Sequence, residues 1–278
     1  MKVKKAIIPV AGWGTRRLPV TKVIEKSMLP IGNRPLVDYV VEDCVKAGIT
    51  DIYLVIGETE PSQVRAYYGD NVQLENYLRE RGKEDKLELL ETTPKGVNFY
   101  YVVQKDGGGY GTAVPVALTV DEYGLDEPVA VLMGDDFIWK AKGGSEVANL
   151  IRCVKNENES AIVGATVARS EVSKYGVLEV SEEGLLSGIV EKPSVEDAPS
   201  NLINISKYVM SGKLLGMVSD YVKNSNFGPR DQEYLITDPI FDYIKQGNVM
   251  RAMPITGQYL DGGTLEGWLH ANNVVCGE

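Results

Sequence analysis

Between Ala11 and Lys26 the chain reads AGWGTRRLPVTKVIEK, a run of small residues followed by Arg16, Arg17, Lys22 and Lys26. Backbone N–H groups of a glycine turn, backed by side-chain cations, are a means of holding phosphate oxygens. Neither standard phosphate loop is present. A G-x-G-x-x-G fingerprint needs a small third residue so that helix packs on strand; here Gly12-x-Gly14 is followed by Arg17. The pattern G-x-x-x-x-G-K-[ST] is also absent. A longer loop carrying its own cations suits attack at one phosphorus of a triphosphate. There the transition state spreads charge over phosphoryl oxygens, and alignment plus cationic stabilisation supplies the rate. Arg16 can bridge two phosphates as a planar fork, and Lys26 can act as a point charge on the reacting one. A plain solvated basic loop is the alternative.

Two aspartates could complete such a site. Asp135 follows an apolar run in Leu132-Met133-Gly134-Asp135-Asp136, and Asp261 lies in Tyr259-Leu260-Asp261-Gly262-Gly263. Mg²⁺ prefers one or two carboxylates plus substrate phosphates, which makes Asp135 and Asp261 candidate metal ligands. Each alone would serve equally as a turn former or helix cap. Glu191-Lys192-Pro193 closes another strand-like run. Its carboxylate can accept sugar hydroxyls and its lysine can hold a sugar phosphate; a surface ion pair is the bland alternative. Cys44, Cys153 and Cys276 form no C-x-x-C pair, and with His270 as the lone histidine no Cys/His zinc site is expected. All three cysteines fall in helix-like stretches and read as small core residues.

The elements that must position these groups follow from periodicity. Ala6–Val10 reads as a buried strand entering the basic loop, Leu36–Lys46 carries a helical apolar stripe ended by Gly48, and Asp51–Gly57 is a second buried strand. Strand, crossover helix and strand make a parallel βαβ unit of right-handed connection. Val97–Gln104 and Pro128–Met133 are further strands, separated by the glycine-rich run 105–111 and a helix at Thr112–Val120. Three strands therefore end in polar or glycine-rich loops, after Val10, Gln104 and Met133, and the carboxyl edge of a parallel sheet is where ligands bind. Beyond Ser160–Ala168 the strand candidates Val177–Val180, Leu186–Glu191 and Leu202–Met210 come with close turns, as in antiparallel structure. Helices are expected over Ser211–Ser219, Gln232–Gln246 and Thr264–Val275. The expectation is one mixed α/β domain over 1–278, with a nucleotide half (1–140) and a sugar-phosphate half (141–278).

Composition narrows the function classes. At 278 residues, 44% hydrophobic and 24% charged, the chain is an ordinary globular protein. No apolar run nears the roughly 20 residues of a membrane span, and the N-terminal apolar run is too short for a signal peptide, so a cytoplasmic protein without membrane contact is expected. Net charge is −10, yet residues 1–34 hold eight Lys/Arg against Glu25 alone, a balance of +7 that leaves −17 elsewhere. Nucleic acid, which needs extended basic faces, is disfavoured; a small polyanion fits.

The stretch AGWGTRRLPVTKVIEKSMLPIGNRPLVDYVVEDCVKAGI resembles the opening signature of the sugar-nucleotide pyrophosphorylases. The resemblance continues through GYGTAV (109–114), VAVLMGDD (129–136), YGVLEV (175–180), IVEKPSVEDAPSNLINISKYVMS (189–211) and YLDGGT (259–264). It is nearest to the uridylyltransferase branch. The resemblance implies a Rossmann-like nucleotidyltransferase fold, with a mixed, mostly parallel central sheet flanked by helices and a smaller antiparallel part on the substrate side. It also implies attack of glucose 1-phosphate on the α-phosphorus of UTP, with Mg²⁺ as cofactor, and a homo-oligomer. By position, Ala11, Gly12, Gly14, Thr15, Gln104 and Gly109 would bind the nucleotide. Arg16 and Lys26 would be catalytic, Asp135 and Asp261 would hold the metal, and Gly176, Glu191 and Lys192 would bind the sugar phosphate. Where that branch commonly reads PKEMLP, this chain has Glu25-Lys26-Ser27-Met28-Leu29-Pro30, a departure that bears on nucleotide choice. A dTTP-using thymidylyltransferase and a catalytically weak regulatory paralogue are the rival readings.

Overall fold

In the computed structural model, residues 2–58, 60–105, 111–225 and 233–277 are described. The first strand, β1 (Lys5–Pro9), is followed by a small hairpin of β2 (Pro30–Ile31) and β3 (Arg34–Pro35) and by α1 (Leu36–Lys46). Next come β4 (Asp51–Gly57), α2 (Gln63–Tyr67), α3 (Val72–Glu80), β5 (Asn98–Gln104), α4 (Val114–Tyr123), β6 (Val129–Leu132) and β7 (Asp136–Trp139). The second half contributes α5 (Glu146–Cys153), β8 (Ser160–Thr166), β9 (Gly176–Val180), β10 (Leu186–Glu191), β11 (Leu202–Met210), α6 (Gly212–Asn224) and α7 (Thr237–Lys245). It ends with β12 (Met250–Pro254), β13 (Gln258–Asp261) and α8 (Leu265–Cys276).

One sheet runs through both halves in the order β10-β9-β11-β6-β1-β4-β5, with β8 on β11 and β12 on β8. Strands β6, β1, β4 and β5 are parallel, while β11 runs antiparallel to β6, β8 and β9. This is the mixed, mostly parallel α/β sheet expected. The antiparallel reading of the second half needs one refinement: β12 lies parallel to β8.

Alternation along β1 explains the two cores. Successive strand side chains point to opposite faces. Ala6 and Ile8 pack with Leu36, Val37, Val40 and Val41 of α1, whereas Ile7 packs with Val114, Val116 and Ala117 of α4 and Leu214, Leu215 and Val218 of α6. Each such aliphatic side chain contributes about 1.5–3 kcal/mol of transfer free energy, most of it offset by chain entropy. The helical stripe of α1 packs as its spacing predicts, with Leu36, Val37, Val40, Val41 and Cys44 buried and Val45, at its edge, half-buried. The cysteine expectation holds only for Cys44. Cys153 is half-buried and Cys276 exposed, because the last turn of α8 lies at the surface. No helix among the described residues is long and apolar enough to cross a membrane.

Candidate active site

The carboxyl ends of the parallel strands do meet. Val10 N–H donates to Val55 O at 2.8 Å and Gly134 N–H to Pro9 O at 3.2 Å, so the exits of β1, β4 and β6 lie side by side. Gln104, at the end of β5, stands opposite Gly57. Gly134 is required by this crowding: a Cβ there would lie 2.6 Å from Val10 Cγ1 and 3.1 Å from Pro9 O. Gly12 is different. It is exposed, and no atom lies within 4 Å of its Cβ position, so nothing in the fold demands a glycine there. Gly109 lies outside the described residues.

The basic loop folds as three short 3-10 turns, Thr15–Arg17, Val20–Lys22 and Lys26–Met28. Gly14 enters it in the left-handed region (φ 63°) and presses on its far end, with its Cβ position 2.9 Å from Thr21 Cγ2 and 3.0 Å from Lys26 Cβ. Thr21 Oγ1 donates to Gly14 O at 2.8 Å. Gly14 thus seats Lys26 within the loop. The two arginines part company. Arg16 is exposed, next to exposed Thr15, and forms no ion pair among the described residues; Arg17 is buried with its guanidinium 5.1 Å from the Trp268 ring centre.

Lys26 crosses to the neighbouring strand exit, where its Nζ forms an ion pair with Asp135. Desolvation pushes the Asp135 carboxyl up, but the Lys26 ammonium, with Lys207 behind it, outweighs this and holds it below the usual carboxylate range. Asp261 arrives from far along the chain. β13 pairs antiparallel with β7 so that Asp261 faces Asp136, and Gly262 N–H donates to Asp135 O at 3.1 Å. A Cβ at position 263 would lie 2.9 Å from Asp261 Oδ1 and 3.1 Å from Lys26 Nζ. Lys26, Asp135 and Asp261 therefore converge around Gly263. Asp261 accepts from Gly263 N–H at 2.7 Å and from Thr264 Oγ1 at 3.1 Å, which fixes its carboxylate.

The sugar-phosphate candidates also assemble. Glu191 of β10 stands opposite Gly176 of β9, and a Cβ at 176 would lie 2.8 Å from Glu191 Oε2. Lys192 follows in a left-handed conformation (φ 45°), its N–H donating to Tyr175 O at 3.0 Å. Burial raises the Tyr175 phenol, and the charges of Asp261 and Glu171 raise it further.

Three contributors were not singled out from sequence. Asp136 is buried with Lys207 and Tyr259 as partners, and burial pushes its carboxyl up to about 6 with Asp135 adding to the rise, against the pull of Lys207. A lysine inside the apolar strand Leu202–Met210 was the available signal.

The chain matches the nucleotidyl transferase family over residues 5–277. A Staphylococcus saprophyticus protein named UTP–glucose-1-phosphate uridylyltransferase 1 is 33% identical over 273 residues, 97% of this chain and 91% of that protein. The structure of UTP-bound UGPase from Acinetobacter baumannii superposes with a TM-score of 0.87 at 30% identity, covering 99% of this chain and 93% of that one. A UDP-glucose pyrophosphorylase complexed with UDP-glucose gives 0.80 at 31% identity, covering 99% of each chain. With sequence and architecture in agreement over nearly its whole length, the chain belongs to the nucleotidyl transferase family.

Proposed function

We propose that the protein makes UDP-glucose and pyrophosphate from UTP and glucose 1-phosphate. The observation that carries this reading is the convergence of Lys26, Asp135 and Asp261 at the mouth of the parallel strands. The names and bound nucleotides of the relatives support the choice of substrates. On this reading residues 1–140 serve the nucleotide and 141–278 the sugar phosphate within one domain. Ala11, Gly12 and Gln104 line the base, and the open space over Gly12 admits it. Gly14 and Thr15 shape the phosphate turn. Arg16, exposed and without an ion pair among the described residues, takes the β- and γ-phosphates as they leave. Lys26 moves from Asp135 onto the α-phosphate and stabilises the charge that builds there during in-line attack. Glu191 and Gly176 orient the glucose hydroxyls, while Lys192 aligns the attacking phosphate oxygen.

The carboxylates suit a divalent cation. Asp135 is held ionised, Asp261 is oriented by two hydrogen bonds, and the glycine at 263 lets Asp261 and Lys26 close in where a Cβ would lie 2.9 Å from Asp261 Oδ1. Two carboxylates plus substrate phosphates would make a donor set of the kind Mg²⁺ prefers. Bound by Asp135 and Asp261, Mg²⁺ would offset phosphate charge and favour departure of pyrophosphate.

The test is pyrophosphate release with glucose 1-phosphate and Mg²⁺, comparing UTP with dTTP. Release with UTP is expected. A preference for dTTP would keep the reaction and overturn the nucleotide, since one methyl group is worth only ~1–3 kcal/mol of discrimination. Release with neither would overturn the enzyme reading in favour of a regulatory paralogue. A homo-oligomer and a cytoplasmic location, where nucleoside triphosphates are made, belong to the same proposal; sedimentation velocity and cell fractionation test them.

A further inference from the structure

Ser206 sits in the middle of β11 with φ 53°, where the register against β8 shifts between Asn204 and Tyr208. Its N–H donates to Asn204 Oδ1 at 2.9 Å and its carbonyl accepts from Met133 N–H at 3.3 Å. A bulge of this kind re-aims the neighbouring side chain. Lys207, only 3% exposed, is turned into the protein. Its Nζ donates to Met133 O at 2.8 Å, to Asp136 O at 3.2 Å and to Asp136 Oδ1. These acceptors flank Asp135 on both sides along the chain. The second oxygen of Asp136 accepts from Tyr259 Oη at 3.0 Å, and Tyr259 lies on β13 two residues before Asp261. A continuous line of bonds thus runs from Lys207 through Asp136 and Tyr259, joining the turn that carries Asp135 to the strand that carries Asp261. Stability alone gives little reason for this arrangement, because desolvating a buried lysine and carboxylate cancels much of their attraction. A fixed geometry is what a buried, fully bonded cation supplies.

We propose that Lys207 is a positioning residue that, through Asp136 and Tyr259, sets the placement of Asp135 relative to Asp261 and thereby the affinity of the pair for a divalent cation. The inference rests on the metal reading given above. Partners of metal-bound carboxylates commonly govern affinity in this way without touching the metal.

The experiment is a titration of MnCl₂ into the full-length protein saturated with UDP-glucose, whose phosphates complete the donor set, with bound Mn²⁺ measured by loss of the free-ion electron paramagnetic resonance signal against a blank of UDP-glucose alone. Tyr259→Phe removes one hydroxyl and should weaken Mn²⁺ binding roughly tenfold. Lys207→Met should weaken it at least as much, with recovery in Lys207→Arg. Because Lys207→Met strips Asp136 of its buried cation and can unfold the chain, Tyr259→Phe carries the test by itself. Asp135→Asn is the control. If Asp135→Asn binds Mn²⁺ as the unsubstituted chain does, the metal reading falls. If Asp135→Asn loses binding while Tyr259→Phe keeps full affinity, the positioning role is overturned and the metal reading stands.

Discussion

Glu25 and Gln63 grip each other twice: Glu25 Oε1 accepts the Gln63 N–H at 2.7 Å, and Gln63 Oε1 accepts the Glu25 N–H at 2.9 Å. Gln63 Nε2 also donates to Val23 O at 2.7 Å. The segment just before Lys26 is thus tied to the first turn of α2, and Glu25 is engaged there while Lys26 goes to Asp135. Glu25→Ala should lower kcat about tenfold to a hundredfold by loosening the lysine. Glu25→Gln, which keeps an acceptor oxygen, should stay near full activity. Steady-state pyrophosphate release separates the two; equal losses would show that charge, not anchoring, matters at this position.

Lys26→Ala should reduce kcat by roughly 10²–10³, the usual effect of removing a charge-stabilising donor. Its far-UV circular dichroism should match that of the unsubstituted chain, because the ammonium pairs with an accessible carboxylate and not with the core. Unchanged turnover would remove Lys26 from the mechanism.

Gly176→Ala places a methyl group 2.8 Å from Glu191 Oε2. The carboxylate is the end of an exposed side chain and can swing away, so the fold should tolerate the change. The KM for glucose 1-phosphate should rise about tenfold, equivalent to ~1.4 kcal/mol, with the KM for UTP unaffected. A change confined to UTP would misplace the sugar subsite.

Ser206→Gly should stabilise the protein. A left-handed conformation costs an L-residue ~1–2 kcal/mol, and glycine forfeits about 0.5–1 kcal/mol of that gain through chain entropy. A net gain near 0.5 kcal/mol is expected in urea denaturation, since the 206 N–H and C=O bonds need no side chain.

Arg251 and Glu159 form a two-pronged pair, Nε to Oε2 at 2.7 Å and Nη2 to Oε1 at 3.0 Å. The hydrogen bond from Arg251 holds the Glu159 carboxyl below its ordinary value despite desolvation. Its contribution is therefore complete above the unfolded-state value of about 4.3 and is lost as pH falls through the lower folded value. Glu159→Gln should cost ~1–2 kcal/mol at pH 7 and progressively less as pH is lowered below about 4.3, measured by urea unfolding at a series of pH values.

Local rules were sufficient where one element answers to one pattern. The stripe over Leu36–Lys46 and the run Asp51–Gly57 match α1 and β4 residue for residue, and Arg16, Lys26 and Asp135 are marked by the loop and strand end that carry them. What periodicity leaves out depends on contacts between distant segments. β7 is four residues long, and the second aspartate of Gly134-Asp135-Asp136 is its first residue. The role of Asp136 depends on Lys207 and Tyr259, neither near it in sequence. The anchoring role of Glu25 is invisible locally because its partner, Gln63, lies on the other side of α1 and β4 in the chain. Arg17 reads as equivalent to Arg16 until Trp268 covers it.

The pairing of β13 with β7 has a consequence for the order in which the protein becomes competent. Tyr259 and Asp136 are 123 positions apart, so closing that contact is among the costlier steps in chain entropy. During synthesis, which proceeds from the N-terminus, the basic loop and Asp135 exist long before Asp261. On the proposed reading, a growing chain would therefore carry the basic loop with only half of its carboxylate pair, and the reaction would stay switched off until β13 has been made and docked.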